Sequence, residues 1–458
     1  METSPQLQRR QVLGGLAALL AAAPAAAIAK STPPPPKSSA AKGDLLGIDF
    51  GIIPGSLTDQ SKAMQAALGA AHDQGRTLVL PAGQIFVQNL EIPGQIRVVG
   101  QPGATVLVAW QNNPIGTAQR ADDLRLEGVG FSGAPGGSPG DQGLLGISDS
   151  VGVRIVNCRF LSAPTSGLLL RNAEATIEDC TFDELDVAIF SHNSRGLTVR
   201  GNRIGKCGNG GILIWRDAAG ADGSIVLGNR ISQVLSRSGG NGQNGNGINI
   251  FKADNVIVAD NVIDDCDFSA VRANSTRNVQ IRGNTCTNLR EVAIYSEFAF
   301  SGSVIANNVV DGAAAGISIT NLDQGGKLAV CSGNIVRNIT PNSPTNPDVR
   351  PYGIYAEADT AITGNAVSNV PGIGIAAGYG AFLRNVLVAD NVISDADTGV
   401  GVSVVEKAGA VRVAGNLISG AKVSAIAGYR WNDVASPDLV AEASKYPNVT
   451  VEGNTVSP

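Results

Sequence analysis

Side chains suited to binding and chemistry recur at one position of a repeated short strand. Each of these strands has two aliphatic residues separated by one other residue. The candidate side chains lie three residues after the first aliphatic residue, or within two residues of that position. Nine residues form this candidate site: His192, Trp215, Arg216, Phe251, Lys252, Arg272, Asn274, Glu297 and Glu357. Aromatic rings stack on sugar rings, whereas cations and amides hold carboxylates and hydroxyls. The pattern predicts an elongated groove for a sugar chain, with Trp215, Phe251 and Asn274 binding it.

One chemistry that fits these residues is elimination or epimerisation of a uronate. A cation would neutralise the sugar carboxylate while a base removes the neighbouring proton. The candidate cations are Arg216, Lys252 and Arg272. His192 is the candidate base. This hypothesis ranks slightly first because it uses more of the candidate residues.

A second chemistry is inverting glycoside hydrolysis, which needs two carboxyl groups facing each other across the bond. Glu297 and Glu357 fall two repeats apart, or about 9.6 Å at the spacing of paired strands. A third interpretation is a non-catalytic binding or structural protein of the cell envelope, whose outer face merely tolerates polar residues. Whether the protein is an enzyme stays open at this point.

Charge is distributed unevenly along the chain. The 458 residues carry a formal net charge of −5, yet residues 195–290 hold 12 Lys/Arg against 7 Asp/Glu. Residues 291–458 hold 9 against 15. A basic middle favours an acidic polysaccharide as the partner, and the acidic total disfavours nucleic acid. Solvated scaffold explains any single Arg or Lys equally well.

The element that must position these side chains is a repeated turn containing asparagine. The turns lie at Asn202, Asn229, Asn261, Asn284, Asn308, Asn334, Asn365, Asn391, Asn416 and Asn454, with Asn157 and Asp179 starting the series. Most steps are 22 to 27 residues. Each step is the length of one coil of a parallel solenoid, in which stacked asparagines can hydrogen-bond to one another.

A second strand recurs between the turns, with Ile or Val alternating. Alternate residues of a strand point to opposite faces. The pattern predicts that eight isoleucines share one core: Ile212, Ile214, Ile248, Ile250, Ile317, Ile319, Ile373 and Ile375. Two longer segments, 338–350 and 430–447, interrupt the repeat and are either walls of a binding site or tolerated insertions.

The segment from residue 49 to 88 resembles the entry module of pectate-lyase-like and phage-tailspike-like β-helices. It has an Asp-Phe-Gly turn at Asp49, then a helix opening near Thr58-Asp59. With the repeats, the whole chain is similar to a family of twin-arginine-translocated β-helix repeat proteins. The resemblance implies an all-β, single-stranded, right-handed parallel β-helix with a short N-terminal capping helix, and no particular reaction. Residues 44–100 would form the cap and first strands, and 101–458 the repeats.

The first 43 residues differ in composition from the rest. Arg9-Arg10 precede an Ala/Leu-rich run, so residues 1–29 resemble a twin-arginine signal peptide, although Gln8 stands where Ser or Thr is usual. An ordinary secretory leader is the alternative. Residues 30–43 contain four consecutive prolines and predict an extended linker. The expected location is therefore the periplasm or the exterior.

Six cysteines follow the signal segment. Buried thiols are expected, with one stacked disulfide between Cys158 and Cys180 as the alternative. No spacing of Cys or His predicts zinc, and no other cofactor is expected. After removal of the signal no membrane-spanning segment is expected, and the protein is expected to be a monomer.

Overall fold

The computed structural model describes residues 43–133, 143–240, 242–320 and 325–458. Gly43–Pro458 form one compact unit. The expected signal peptide lies outside the described residues, as does the linker up to Lys42. Within the described residues, no helix is long and apolar enough to cross a membrane.

Short strands make up most of the described chain. In chain order the first twenty are β1 Leu45–Leu46, β2 Leu78–Val79, β3 Gly83–Val87, β4 Leu90–Glu91, β5 Arg97–Val99, β6 Thr105–Ala109, β7 Gly116–Gln119, β8 Arg125–Glu127, β9 Gly130–Ser132, β10 Leu145–Ser148, β11 Val153–Val156, β12 Arg159–Arg171, β13 Ala175–Glu178, β14 Thr181–His192, β15 Thr198–Arg200, β16 Arg203–Cys207, β17 Gly210–Ala221, β18 Ile225–Leu227, β19 Arg230–Val234 and β20 Asn246–Asp254.

The remaining strands are β21 Ile257–Ala259, β22 Val262–Cys266, β23 Val271–Asn274, β24 Gln280–Arg282, β25 Thr285–Glu297, β26 Ser301–Ala306, β27 Val309–Thr320, β28 Lys327–Ser332, β29 Ile335–Ile339, β30 Tyr352–Ala356, β31 Ala358–Thr363, β32 Ala366–Ala377, β33 Arg384–Ala389, β34 Val392–Ser403, β35 Val411–Ala414, β36 Leu417–Ser419, β37 Ser424–Arg430, β38 Asp433–Ser436, β39 Val449–Glu452 and β40 Thr455–Ser457. Within the part of the chain that the structure describes there are two α-helices, α1 Ser61–Gln74 and α2 Leu439–Glu442, one near each end of that part.

The strands stack into a right-handed parallel β-helix, which confirms the predicted fold. Sixteen strands form one sheet and twenty-four the other. Each strand pairs in parallel with its counterparts in the adjacent coils, apart from the antiparallel hairpin of β37 and β38. Long strands such as β25 turn a corner and contribute to two faces of the coil.

The core is a single column of aliphatic side chains, as predicted. Seven of the eight isoleucines expected inside are fully buried in one cluster. The prediction for Ile373 is wrong: it is half-buried and lies on the wall of a surface groove. Stacked phenylalanines fill the N-terminal coils, with Phe160 4.9 Å from Phe131 and 4.8 Å from Phe182 between ring centroids.

The asparagine turns form a continuous ladder inside one corner. Asn308 is representative: its main-chain N–H donates to Asn334 Oδ1 at 2.9 Å, and its Nδ2 donates to the same oxygen at 3.0 Å. The predicted start of the series is wrong. Cys158 and Cys180, not Asn157 and Asp179, occupy the ladder position, since the Cys180 N–H donates to Asn202 Oδ1 at 2.9 Å.

Asn157 and Asp179 instead adopt the positive φ that glycine supplies in later coils, at 52° and 53°. All six cysteines are free and buried, as expected, and the alternative disulfide between Cys158 and Cys180 is not formed.

Helix α1 closes the N-terminal end of the core. Its buried face presents Met64, Leu68 and two alanines to the first coils. The helix begins at Ser61, just after the predicted Thr58-Asp59 opening, and Asp59 Oδ1 accepts from the Ser61 N–H at 2.9 Å. The exposed edges of the first coil are therefore covered.

Candidate functional site

Six of the predicted site residues lie in one row across adjacent coils, together with Thr320. Strand pairing places the following residues side by side in order: His192, Trp215, Phe251, Asn274, Glu297 and Thr320. Glu357 continues the row, because it follows Ala356, the partner of Ile319. We call these seven positions the site row. Arg272 lies beside it on the same face, two residues before Asn274.

The predicted register fails at the end of the row. The repeated strand pattern aligns Ile373 with Ile354, and so Ala376 with Glu357. In the structure Ile354 instead pairs with Ile375, two residues later, and Tyr355 pairs with Ala376. A slip by two preserves the alternation of inward and outward side chains, so the pattern alone does not exclude it.

Arg272 and Glu297 form a buried ion pair on this face. The Arg272 Nε donates to Glu297 Oε1 at 2.7 Å, and Nη2 donates to Oε2 at 2.9 Å. Asn274 also donates to Glu297, at 2.8 Å. On its other side Nη1 of Arg272 lies 3.7 Å from Glu291 Oε2. The guanidinium is thus held between two carboxylates, which differs from the expected separation of cationic and acidic ends.

The predicted base, His192, and the other two predicted cations are also engaged within the chain. His192 Nε2 lies 2.9 Å from Asp217 Oδ1, and Lys252 Nζ donates to the Asp217 carbonyl at 3.1 Å. Arg216 donates to the Ser194 carbonyl at 2.9 Å and lies 3.7 Å from Asp222. A carboxylate of a ligand would have to compete with these partners.

A groove of ≈ 640 Å³ lies at the C-terminal end of the same face. The floor is formed by Tyr295, Ser318, Tyr355 and Ala376, which lie on paired strands, and by Glu357, which directly follows β30. Residues 346–352 form one wall, and Tyr429, Trp431 and Asn432 form the other. Both segments that interrupt the repeat therefore border the groove.

The groove gathers most of the tyrosines of the protein. The chain has six tyrosines. Five of them line the groove: Tyr295, Tyr352, Tyr355, Tyr379 and Tyr429. Trp431 adds an indole whose ring centroid is 5.1 Å from that of Tyr379. We call this site the tyrosine groove.

Backbone geometry fixes the indole. Gly380 has φ of 58°, and a Cβ there would lie 2.1 Å from the Trp431 ring. Only glycine fits at this position without moving the ring.

Hydrogen bonds to earlier coils position the first wall. Thr345 Oγ1 donates to the Asp267 carbonyl at 2.9 Å, and Ser343 donates to the Arg290 carbonyl at 2.5 Å. Asn346 Nδ2 then reaches Glu291 Oε1 at 2.9 Å. Across the groove, Arg350 Nη1 donates to Asn432 Oδ1 and so joins the two walls.

Two carboxyl groups, those of Glu291 and Glu357, are buried at the edge of the groove. Burial raises the pKa of Glu291, although Arg272 opposes the shift. The Tyr355 hydroxyl donates to Glu357 Oε1. Burial and the Glu357 charge raise the pKa of Tyr355, and burial raises that of Tyr352 to about 12. Tyr352 and Tyr355 therefore act as neutral hydrogen-bonding rings near neutral pH.

The structure thus separates the predicted site into two parts. Glu357 lines the tyrosine groove, whereas the other eight predicted residues lie outside it. Sequence reasoning missed Glu291 and the tyrosines. The sequence contained one signal for this site: five tyrosines lie within residues 295–429, although the chain has few aromatic residues. Among the described residues, no group of three His, Cys, Asp or Glu side chains could hold a metal ion.

Comparisons with known proteins agree with the fold. The pattern of a family described as "Right handed beta helix region" matches residues 138–231 and 222–340. The catalytic unit of a GH87 α-1,3-glucanase from Streptomyces thermodiastaticus superposes with a TM-score of 0.54 at 14% identity, over 85% of this chain and 69% of that one. PfbA, a surface adhesin of Streptococcus pneumoniae, gives 0.50 at 12% identity, over 86% and 94%.

Those two structures, an enzyme and an adhesin, share only the fold with this chain at such low identity. No curated protein is significantly similar to it in sequence.

Proposed function

We propose that this right-handed β-helix binds a neutral polysaccharide in the tyrosine groove. The observation that carries the proposal is the convergence of five tyrosines and Trp431 on one open groove. Such rings offer apolar faces for stacking and hydroxyls for hydrogen bonds, the two contacts that a sugar ring needs. An open groove along a solenoid also admits a chain from both ends.

Charge favours a neutral sugar over the uronate predicted from the sequence. Glu291, Asp348 and Glu357 line the groove, whereas Arg350 is its only cation among the described residues. Arg350 is already bonded to Asn432. A sugar carboxylate would meet like charge here, which weakens binding.

Calorimetric titration against neutral and acidic oligosaccharides tests this proposal. Gluco-oligosaccharides represent the neutral class, and oligogalacturonate and oligoalginate the acidic class. Trp431→Ala should weaken binding of the neutral class roughly fivefold, corresponding to about 1 kcal/mol for one stacked ring. Trp110→Ala is the matched control, since Trp110 lies outside the groove. Tight binding of the acidic class alone would support the uronate hypothesis instead.

Glycoside hydrolysis is the second candidate function. The specific observation is that Glu291 and Glu357 border one groove in different environments. Glu291, whose pKa is raised by burial, suits the role of the acid that protonates the glycosidic oxygen. Glu357, which accepts a hydrogen bond from Tyr355, suits the carboxylate that activates water or attacks the sugar.

Release of reducing ends from the neutral panel tests hydrolysis. Glu291→Gln and Glu357→Gln should each abolish activity while retaining binding. Glu174→Gln, an exposed carboxyl outside the groove, serves as control. Binding without product release in the wild type would leave a non-catalytic binding protein, the alternative that the sequence left open.

We also propose export by the twin-arginine pathway. Arg9-Arg10 ahead of the Ala/Leu-rich run support the proposal. Replacing both with lysine should block accumulation outside the cytoplasm. Normal export of that variant would favour an ordinary secretory leader.

A further inference from the structure

A second cavity, of ≈ 560 Å³, lies toward the N-terminal end of the same face. Six polar residues line it: Asn89, Glu91, Thr117, Gln119, Ser148 and Arg171. We call it the polar cavity. Unlike the tyrosine groove it contains no aromatic residue, so any ligand there is held by hydrogen bonds from amides, hydroxyls, a carboxylate and a guanidinium.

The polar cavity and the site row belong to one continuous register. Gln119 pairs with Ser148, and Ser148 pairs with Arg171. Arg171 in turn pairs with His192, the first residue of the site row. From Ser148 to Glu357 the row crosses eight strand spacings, or about 38 Å. A single chain lying parallel to the helix axis can therefore reach both cavities.

Aromatic rings cover the part of the surface that is nearer the polar cavity. Phe190 and Trp215 are 5.3 Å apart between ring centroids, and Trp215 and Phe251 are 6.2 Å apart, both edge to face. All three rings are half-buried, and Lys252 Nζ lies 4.8 Å from the centroid of the Phe251 ring. An apolar strip of this kind supports a sugar chain by stacking without fixing its hydroxyls.

We propose that the polar cavity is a second binding site for the same polysaccharide, so that one extended chain occupies both cavities and crosses the aromatic strip. This inference rests on the proposed function of the tyrosine groove. Two sites on one ligand raise the apparent affinity, because binding at the second site becomes intramolecular. Affinity should consequently depend on chain length.

Titration with gluco-oligosaccharides, sorted into fractions shorter and longer than about 38 Å when extended, tests the inference. The longer fraction should bind at least about tenfold more tightly. Gln119→Ala and Arg171→Ala should remove this advantage and leave the short fraction unchanged. Arg125→Ala, an exposed arginine on the other sheet, should change neither. Circular dichroism of each variant confirms that it is folded.

The outcomes separate the two proposals. Equal affinity for both fractions, with binding still lost in Trp431→Ala, would overturn the second site and retain the tyrosine groove. A length advantage that survives Gln119→Ala and Arg171→Ala would also overturn it. No binding of either fraction, or binding unaffected by Trp431→Ala, would overturn the proposed function and this inference with it.

Discussion

Arg272 and Glu297 bind each other through two parallel hydrogen bonds across adjacent coils, at 2.7 and 2.9 Å, with side chains 10% and 2% exposed. Removing Glu297 takes away both close acceptors of the buried Arg272 charge and leaves only Glu291, at 3.7 Å, to compensate it. Glu297→Ala should therefore lower the free energy of unfolding by about 3–5 kcal/mol. Urea denaturation of the variant measures the loss.

A surface pair of similar geometry provides the control. Arg412 Nε lies 2.7 Å from Glu452 Oε1, with side chains 58% and 53% exposed. Solvent screening limits such pairs, so Glu452→Ala should cost less than about 1 kcal/mol. Similar losses in the two variants would show that burial of the Arg272 pair contributes little.

Glu291 should make stability depend on pH. Burial raises its pKa in the folded protein above the value of 4.5 for the free side chain. The protonated form is thus favoured by folding, and this contribution is full below pH 4.5 and is lost as pH rises through the folded pKa. The difference in stability between wild type and Glu291→Gln should shrink as pH rises from 4.5 through the folded pKa of Glu291. Thermal melts between about pH 4 and pH 8 measure this difference.

Glu184 gives the opposite sign for comparison. Hydrogen bonds from Lys206 and Ser162 lower its pKa, so its contribution is lost as pH falls. The loss of stability caused by Glu184→Gln should therefore become smaller as pH falls. Parallel pH profiles for the two variants would contradict both assignments.

Each asparagine of the ladder should contribute to the stability of the fold. Asn308→Ala removes two buried bonds donated by Nδ2, one to Asn334 Oδ1 and one to the Ile281 carbonyl, both at 3.0 Å. The Asn284 N–H, which donates to Asn308 Oδ1 at 3.0 Å, also loses its acceptor. Buried groups left unpaired cost about 1–3 kcal/mol each, so a loss of several kcal/mol is expected. Asn112→Ala, at an exposed turn, should stay within about 0.5 kcal/mol of wild type.

The bond from Arg350 to Asn432 should restrain the two walls of the tyrosine groove. Asn432→Ala removes the acceptor at the surface, so global stability should change by less than about 1 kcal/mol. Amide hydrogen exchange should nevertheless accelerate in residues 346–352 and 429–433, because local opening becomes easier. Unchanged exchange there would show that the walls are held by their own coils.

Much of the scaffold could be predicted from the sequence because it depends on local repeats. Ile248 and Ile250 alternate with polar residues, which assigns them to the core without knowledge of distant contacts. The same alternation placed Trp215 beside Phe251. It failed at Ile373, because Ile354 pairs with Ile375 instead, and β32 has a register irregularity between Val370 and Ile373.

The tyrosine groove could not be predicted in the same way. Its first wall depends on Thr345 bonding to Asp267, 78 residues earlier, and its second on the hairpin that carries Trp431. Neither contact follows from the repeat. The ion pair of Arg272 with Glu297 likewise depends on side-chain direction, which the register of two strands leaves open.

The coils differ in length, whereas the hydrogen bonds of the asparagine ladder all have nearly the same length. Consecutive ladder residues lie between 23 and 38 positions apart, yet their bonds stay within 2.9–3.0 Å. The coils from Asn334 to Asn365 and from Asn416 to Asn454 carry the extra residues that form the groove walls. The segments that form the groove walls are therefore separate from those that form the ladder, so other loops grafted at these two corners should reshape the groove without redesign of the core.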